Sequence, residues 1–202
     1  MKHTAWGVCT ALGLVVSVAA VASAQADKKP PEMTAEQKAE MELYMKAGAP
    51  GPQHKWLAST AGSYDLKVRS WPAPGAPPVE ETATVVRTAM FEGRVLVEDL
   101  KGSMMGMPFT GHGMRGYDNV SGKFWSTWLD SMSTGIMVSE GSCDDKGTCT
   151  FTGSWNDPVK KGPVTARMTS RWTSPTTELF EMYGPDKSGK EMKMMEITYT
   201  KK

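Results

Sequence analysis

From Tyr64 onward the chain alternates apolar and polar residues in short runs, broken by Gly, Pro, Asn and Asp at roughly the eight-to-twelve-residue spacing of all-β folds. A period of two places alternate side chains on opposite faces, so each run reads as a strand with one face buried. The pattern predicts ten strands: 64–71, 82–90, 94–102, 109–117, 124–130, 136–143, 148–155, 164–172, 178–183 and 192–200. No helical stretch of about a dozen residues separates them, so successive strands are antiparallel neighbours in an up-and-down meander. Sheets of this size remove their edges by closing. A barrel of that order encloses room for one small ligand rather than a channel. The expected fold is therefore all-β, an antiparallel up-and-down β-barrel of about ten strands with an N-terminal α-helix.

That helix is read from Thr34-Ala-Glu-Gln37, a hydroxyl three residues before a glutamine, which is the form of a capping box. Met41, Tyr44 and Met45 follow at helical spacing, and Gly48-Ala-Pro50 ends the segment. The apolar stripe is narrow, which suits a helix on the outside of the domain or across an opening. Two strands show their faces with particular clarity. In one, Val164, Ala166, Met168 and Trp172 alternate with Thr165, Arg167, Thr169 and Arg171. In the other, Trp125 and Trp128 fall on opposite faces, so one is expected to line a cavity and the other to pack outside.

Before these elements, Lys2, the apolar run Ala11 to Val21 and the small residues Ala22-Ser23-Ala24 have the form of a secretory signal peptide. The expected organisation is a signal peptide over 1–24, a linker and amphipathic helix over 25–53, and a barrel domain over 54–202. Export places the protein in the periplasm or outside the cell. Beyond Ala24 no run approaches the roughly 20 apolar residues of a membrane-spanning helix. Without residues 1–24 the chain carries 22 basic and 22 acidic side chains. An interspersed, neutral surface lacks the basic stripe of a nucleic-acid binder, so no nucleic-acid partner is expected. Cys143 and Cys149 flank Asp-Asp-Lys-Gly-Thr, a hairpin turn. In an oxidising compartment they are expected to form a disulfide that pins the hairpin.

Several stretches together carry a family resemblance. They are Pro108-Phe109-Thr-Gly111-His-Gly113, Gly116-Tyr117-Asp118, Asp130-Ser-Met-Ser-Thr-Gly135, Glu140-Gly141 and Glu196-Ile-Thr-Tyr-Thr200. From about His54 to Lys202 the chain resembles the bacterial exported family known as domain of unknown function 1579. The resemblance implies a barrel similar to the calycins, the lipocalin-like and fatty-acid-binding proteins, and no established reaction. Gly62-Ser63-Tyr64 sits where lipocalins have Gly-x-Trp. Lys201 or Lys202 sits where a cation packs over that aromatic.

The stretch Met104 to Met114, MMGMPFTGHGM, concentrates methionine and histidine. Soft sulfur beside imidazole is the donor set of a copper(I) site, which would use Met105, Met107, His112 and Met114. The same residues describe a soft apolar rim, with Ser103 to Pro108 as a connecting loop at the barrel mouth. His112 is the one histidine in the expected strands, and with Asp118 or Asp130 it raises the alternative of a hydrolase; no Gly-x-Ser-x-Gly elbow accompanies it. Glu140, Glu181 and Glu196 read as a solvated face. The leading reading is a binding protein for a small, largely apolar molecule. Its candidate lining is Phe109, Met114, Trp125, Trp128, Met168 and Trp172, with His112 and Arg167 as polar anchors. Copper(I) binding, a His112-dependent enzyme and a cell-envelope interaction protein with a filled barrel are the alternatives. No cofactor and no catalytic residue is assigned, and the oligomeric state is left open.

Overall fold

The computed structural model describes residues 32–202; the expected signal peptide and the linker through Pro31 lie outside the described residues. The chain divides between Glu42 and Leu43 into two compact units. Helix α1 (Ala35–Gly48) runs across that boundary. Its start has the expected reciprocal cap: the Gln37 amide donates to Thr34 Oγ1 at 3.2 Å, and the Thr34 amide donates to Gln37 Oε1 at 2.9 Å.

The second unit holds the end of α1, a short helix α2 (Pro52–Ser59), and ten strands. These are β1 (Gly62–Ser70), β2 (Val79–Met90), β3 (Val95–Met104), β4 (Met107–Asp118), β5 (Lys123–Asp130), β6 (Met137–Cys143), β7 (Cys149–Asp157), β8 (Gly162–Ser174), β9 (Thr177–Pro185) and β10 (Glu191–Lys201). Every strand pairs antiparallel with its sequence neighbours, and β10 returns to pair with β1, closing the barrel. All ten expected strands are present, nine of them one to four residues longer than the alternation alone indicates and β6 one residue shorter.

Two differences from the sequence reading have local causes. The first is α2, a second helix beyond the one read from Thr34 to Pro50. Pro52 supplies a pre-set φ at the first helical position. His54 then closes the turn: its Nδ1 accepts the Gly51 amide at 3.0 Å, which leaves Nε2 to donate to the Tyr117 carbonyl at 2.9 Å. The helix packs against β2, β3 and β4, with His54 and Leu57 buried and Trp56 edge-on to Phe124. Tyr64 Oη donates to the Thr60 carbonyl at 2.5 Å. One end of the barrel is thereby covered. The second difference is the methionine loop. Met104 pairs directly with Met107, so Ser103 to Pro108 is not a loop but the tip of a β3–β4 hairpin. Met105 and Gly106, with φ of 53° and 74°, form a two-residue turn with both central residues left-handed, the geometry that matches strand twist.

At the barrel entrance to β1, Lys201 Nζ lies 5.9 Å over the Tyr64 ring, the cation-on-aromatic contact expected there. A Cβ on Gly62 would come within 2.9 Å of Lys201 Cε, and Gly62 has φ of 144°. Cys143 and Cys149 face each other across the β6–β7 hairpin and are joined as a disulfide. Among the described residues no helix is long and apolar enough to cross a membrane.

The disulfide closes a loop of seven residues within a hairpin that the Asp144 carboxylate already ties, through bonds from the Lys146 and Thr148 amides at 2.9 Å each. Reduction is expected to lower stability by about 2 kcal/mol without unfolding the barrel. Urea denaturation followed by far-ultraviolet circular dichroism, with and without reductant, measures this; loss of the β signal on reduction alone would contradict it.

Candidate functional site

The closed ladders assign every strand residue to the inside or the outside. Tyr64 and Leu66 on β1, Val85 on β2 and Ile197 and Tyr199 on β10 form the buried core cluster with Leu100 and Phe109, and Val68 and Ala83 pack against it half-buried. Following the pairing round the barrel places four charged side chains inside as well: Arg87, Glu98, Arg115 and Glu178.

These four form one ionic network near the end covered by α2. Arg87 Nε donates to Glu98 Oε1 and Arg87 Nη1 to Glu178 Oε2, each at 2.6 Å. Arg115 approaches both acids from the other side, at 3.1 Å to Glu98 Oε2 and 3.6 Å to Glu178 Oε1. The Ser170 hydroxyl also donates to Glu178. The Arg87 guanidinium lies in the corner made by the Tyr64 and Tyr199 rings, 4.6 Å from each centroid, the two rings meeting edge to face at 83°. Its Nη2 is buried without a hydrogen-bond partner. Burial alone would raise the Glu178 carboxyl. The Arg87 and Arg115 charges, with hydrogen bonds from Ser170 and Arg87, outweigh burial and hold it below the usual glutamate range. Burial, then the Glu98 charge, pushes the Tyr199 hydroxyl well above the usual tyrosine value, which keeps it neutral.

Of the four side chains, Arg87, Glu178 and Glu98 keep 1%, 3% and 5% of their surface, whereas Arg115 keeps 22%. The charge that meets accessible space is therefore positive. Further along the interior from this floor, Leu100, Phe109, Ile197 and Met168 are buried, while Val68, Ala83, Met104, Trp128, Phe180 and Met195 are half-buried. Gly111 and Gly113 open the wall for Trp128, since a Cβ on Gly111 would overlap its indole. The indole N–H donates to Asp130 Oδ2 at 3.0 Å. The half-buried inward side chains pack against the buried core cluster and keep part of their surface accessible. Away from the lumen, β8 and β9 pair only as far as Arg167–Tyr183. Beyond that point a cleft of about 410 Å³ lies in the wall, bordered by Ala166, Arg167, Tyr183, Gly184 and Glu191.

The candidate residues divide between the two faces. Phe109, Trp128, Met168 and Trp172 face the interior by their register. His112, Met114, Trp125 and Arg167 fall at the alternate positions and face outward. His112 is exposed, and its Nδ1 is 2.9 Å from Asp99 Oδ1, not beside Asp118 or Asp130. Arg167 makes a two-pronged pair with Glu191 at 3.0 and 2.9 Å and stacks 4.2 Å over Tyr183. The four residues of the copper alternative do not converge: Met105 is 79% exposed on the turn, Met107 is at the inner rim, and His112 and Met114 are on the outer face. The pleat is the reason, since residues of odd and even number on one strand point oppositely. Among the described residues no three His, Cys, Asp or Glu side chains gather as a metal site. The ionic floor was missed, although its signal was present. Glu98 shares its face with Leu96 and Leu100, and Arg87 shares its face with Val85. A charge in register with buried apolar residues marks a buried network.

A family model described as protein of unknown function, DUF1579, matches residues 49–201. No curated protein matches the sequence. Among solved structures, the chain is similar to the one described as the crystal structure of Rv2717c from M. tuberculosis. Identity is 13% with a TM-score of 0.56, over 76% of this chain and 99% of that one, a likeness of fold alone.

Removing one member of a buried ion pair leaves its partner charged and unpaired, so Arg87→Met is expected to lower stability by about 3–5 kcal/mol, read by thermal or urea denaturation. The depressed Glu178 carboxyl also sets an acid limit. Its folded value lies below the ordinary 4.5. Its contribution is therefore complete above pH ~4.5 and is lost as pH falls through the folded value. Glu178→Gln is expected to flatten the fall in stability below pH ~4.5; an unchanged acid profile would contradict this assignment.

Proposed function

The chain belongs to the DUF1579 family, whose description carries no activity, and we propose from the barrel itself that the protein binds a small, largely apolar molecule in its interior. One observation carries the reading. The inward apolar side chains of the upper barrel keep accessible surface, while the charged floor beneath them is buried and self-neutralised. Apolar surface held open toward an enclosed space favours an apolar occupant, because water there gains few hydrogen bonds. Phe109, Trp128, Met168 and Trp172 supply aromatic and thioether contact. Arg115, the accessible member of the floor, takes the place at the lumen end that was first given to His112 and Arg167. The proposal includes export to an oxidising compartment, which the Cys143–Cys149 disulfide supports.

Native mass spectrometry of protein purified gently from its own compartment is expected to show a retained apolar molecule. The emptied protein is expected to take up N-phenyl-1-naphthylamine with a rise in fluorescence. Val68→Trp, which fills the lumen, is expected to weaken uptake at least tenfold, about 1.4 kcal/mol, while Lys67→Trp on the outer face leaves it unchanged. A protein that is isolated empty and takes up no probe would overturn the reading.

A further inference from the structure

Although the methionines of the β3–β4 hairpin disperse, another set gathers inside. Met168 on β8 is the direct register partner of Met182 on β9, and Met182 is the direct partner of Met195 on β10. Directly opposed residues have Cβ atoms about 4.5–5.5 Å apart, and on the concave inner face of a barrel their side chains converge further. The register shift between Lys193 and Met195 brings a fourth methionine to this wall. Met194 Sδ occupies the space that a Cβ on Gly184 would need. Met137 reaches the same region from β6: a Cβ on Gly153 would meet Met168 Cε at 2.7 Å and Met137 Cγ at 3.5 Å. Gly153 and Gly184 thus clear the wall for sulfur-bearing side chains. Met168 is 3% exposed and the other four are half-buried, so the group is enclosed and still reachable.

Thioethers are neutral, soft donors that select monovalent d¹⁰ ions over the hard cations preferred by carboxylates. Met168, Met182 and Met195, in one row with Met194 beside them, supply the three or four sulfurs of a trigonal or tetrahedral shell. The wall cleft between β8 and β9 is bordered by Gly184, the residue against which Met194 rests, so it lies next to the group. We propose that these inward methionines form a binding site for a soft monovalent cation, copper(I) or silver(I). It is distinct from the Met105, Met107, His112 and Met114 set and independent of the apolar-ligand reading.

The test is a titration with silver(I) of the chain without residues 1–24, whose Cys9 thiol would itself take the ion; silver(I) needs no reductant and so leaves Cys143–Cys149 closed, and X-ray absorption at the silver edge follows. One ion per chain with a first shell of sulfur only is expected. Met182→Leu, central to the row and close to it in volume, is expected to weaken binding at least tenfold without lowering the melting temperature appreciably. Met105→Leu, on the exposed turn, is expected to leave affinity unchanged. Absence of tight binding, a nitrogen or oxygen first shell, or equal affinity in the Met182→Leu variant would overturn the proposal.

Discussion

Closure of the sheet imposes the constraint on which everything inside depends. Once β10 pairs with β1, each inward position faces a space shared with nine other strands, and a charge placed there has no route to bulk water except through the lumen. Arg87 is such a charge. Glu98 and Glu178 neutralise it, two tyrosine rings lie against it, and Arg115 balances the second carboxylate. Four charges drawn from four strands, β2, β3, β4 and β9, thus become one neutral unit, and the hydrogen bonds that join them tie together strands that are not all neighbours. The desolvation cost of so many buried ions is large, and such a network specifies geometry more than it adds net stability. Here it marks a boundary between the end that α2 covers and the rest of the interior.

That boundary organises the rest. Below it lie the floor and the α2 cover, with His54 bridging Gly51 to Tyr117 and Tyr64 reaching Thr60. Above it the inner wall is built from methionine, tryptophan, phenylalanine and small residues, and it keeps accessible surface. Methionine suits a wall that must adapt to more than one occupant, because its unbranched, polarizable side chain refits easily. The same softness underlies both proposals, one for an apolar molecule and one for a soft cation. They rely on different atoms, the hydrocarbon surface in the first case and the sulfur lone pairs in the second.

Much of the fold was legible because alternation and turn residues act locally. The ten strands, the Thr34–Gln37 cap, the hairpin disulfide and the cation over Tyr64 all follow from residues close in sequence or from their place at a strand end. The site was less legible, because alternation separates two faces without saying which is inner. On β8 the apolar set, Val164, Ala166 and Met168, is the inner one, and Arg167, read as a lumen anchor, alternates with it and lies outside. On β4 the inner face is largely glycine, so His112 and Met114 were the bulkier set and drew attention to the wrong side. Only the Trp128 ring lying over Gly111 explains why those glycines are inward. The Arg87–Glu178 bond joins residues 91 apart, a separation no local pattern reports. Glu98 beside Leu96 and Leu100 was the one available clue to the floor.

The central claim, that the lumen receives a small apolar molecule, is tested most directly by nuclear magnetic resonance on protein carrying ¹³C-methyl methionine, with N-phenyl-1-naphthylamine as the bound probe. The account predicts intermolecular Overhauser contacts from the probe to the methyls of Met168, Met182 and Met195, and none to those of Met105 or Met114. Contacts confined to the outer methyls, or none from a bound probe to the three inner ones, would contradict it.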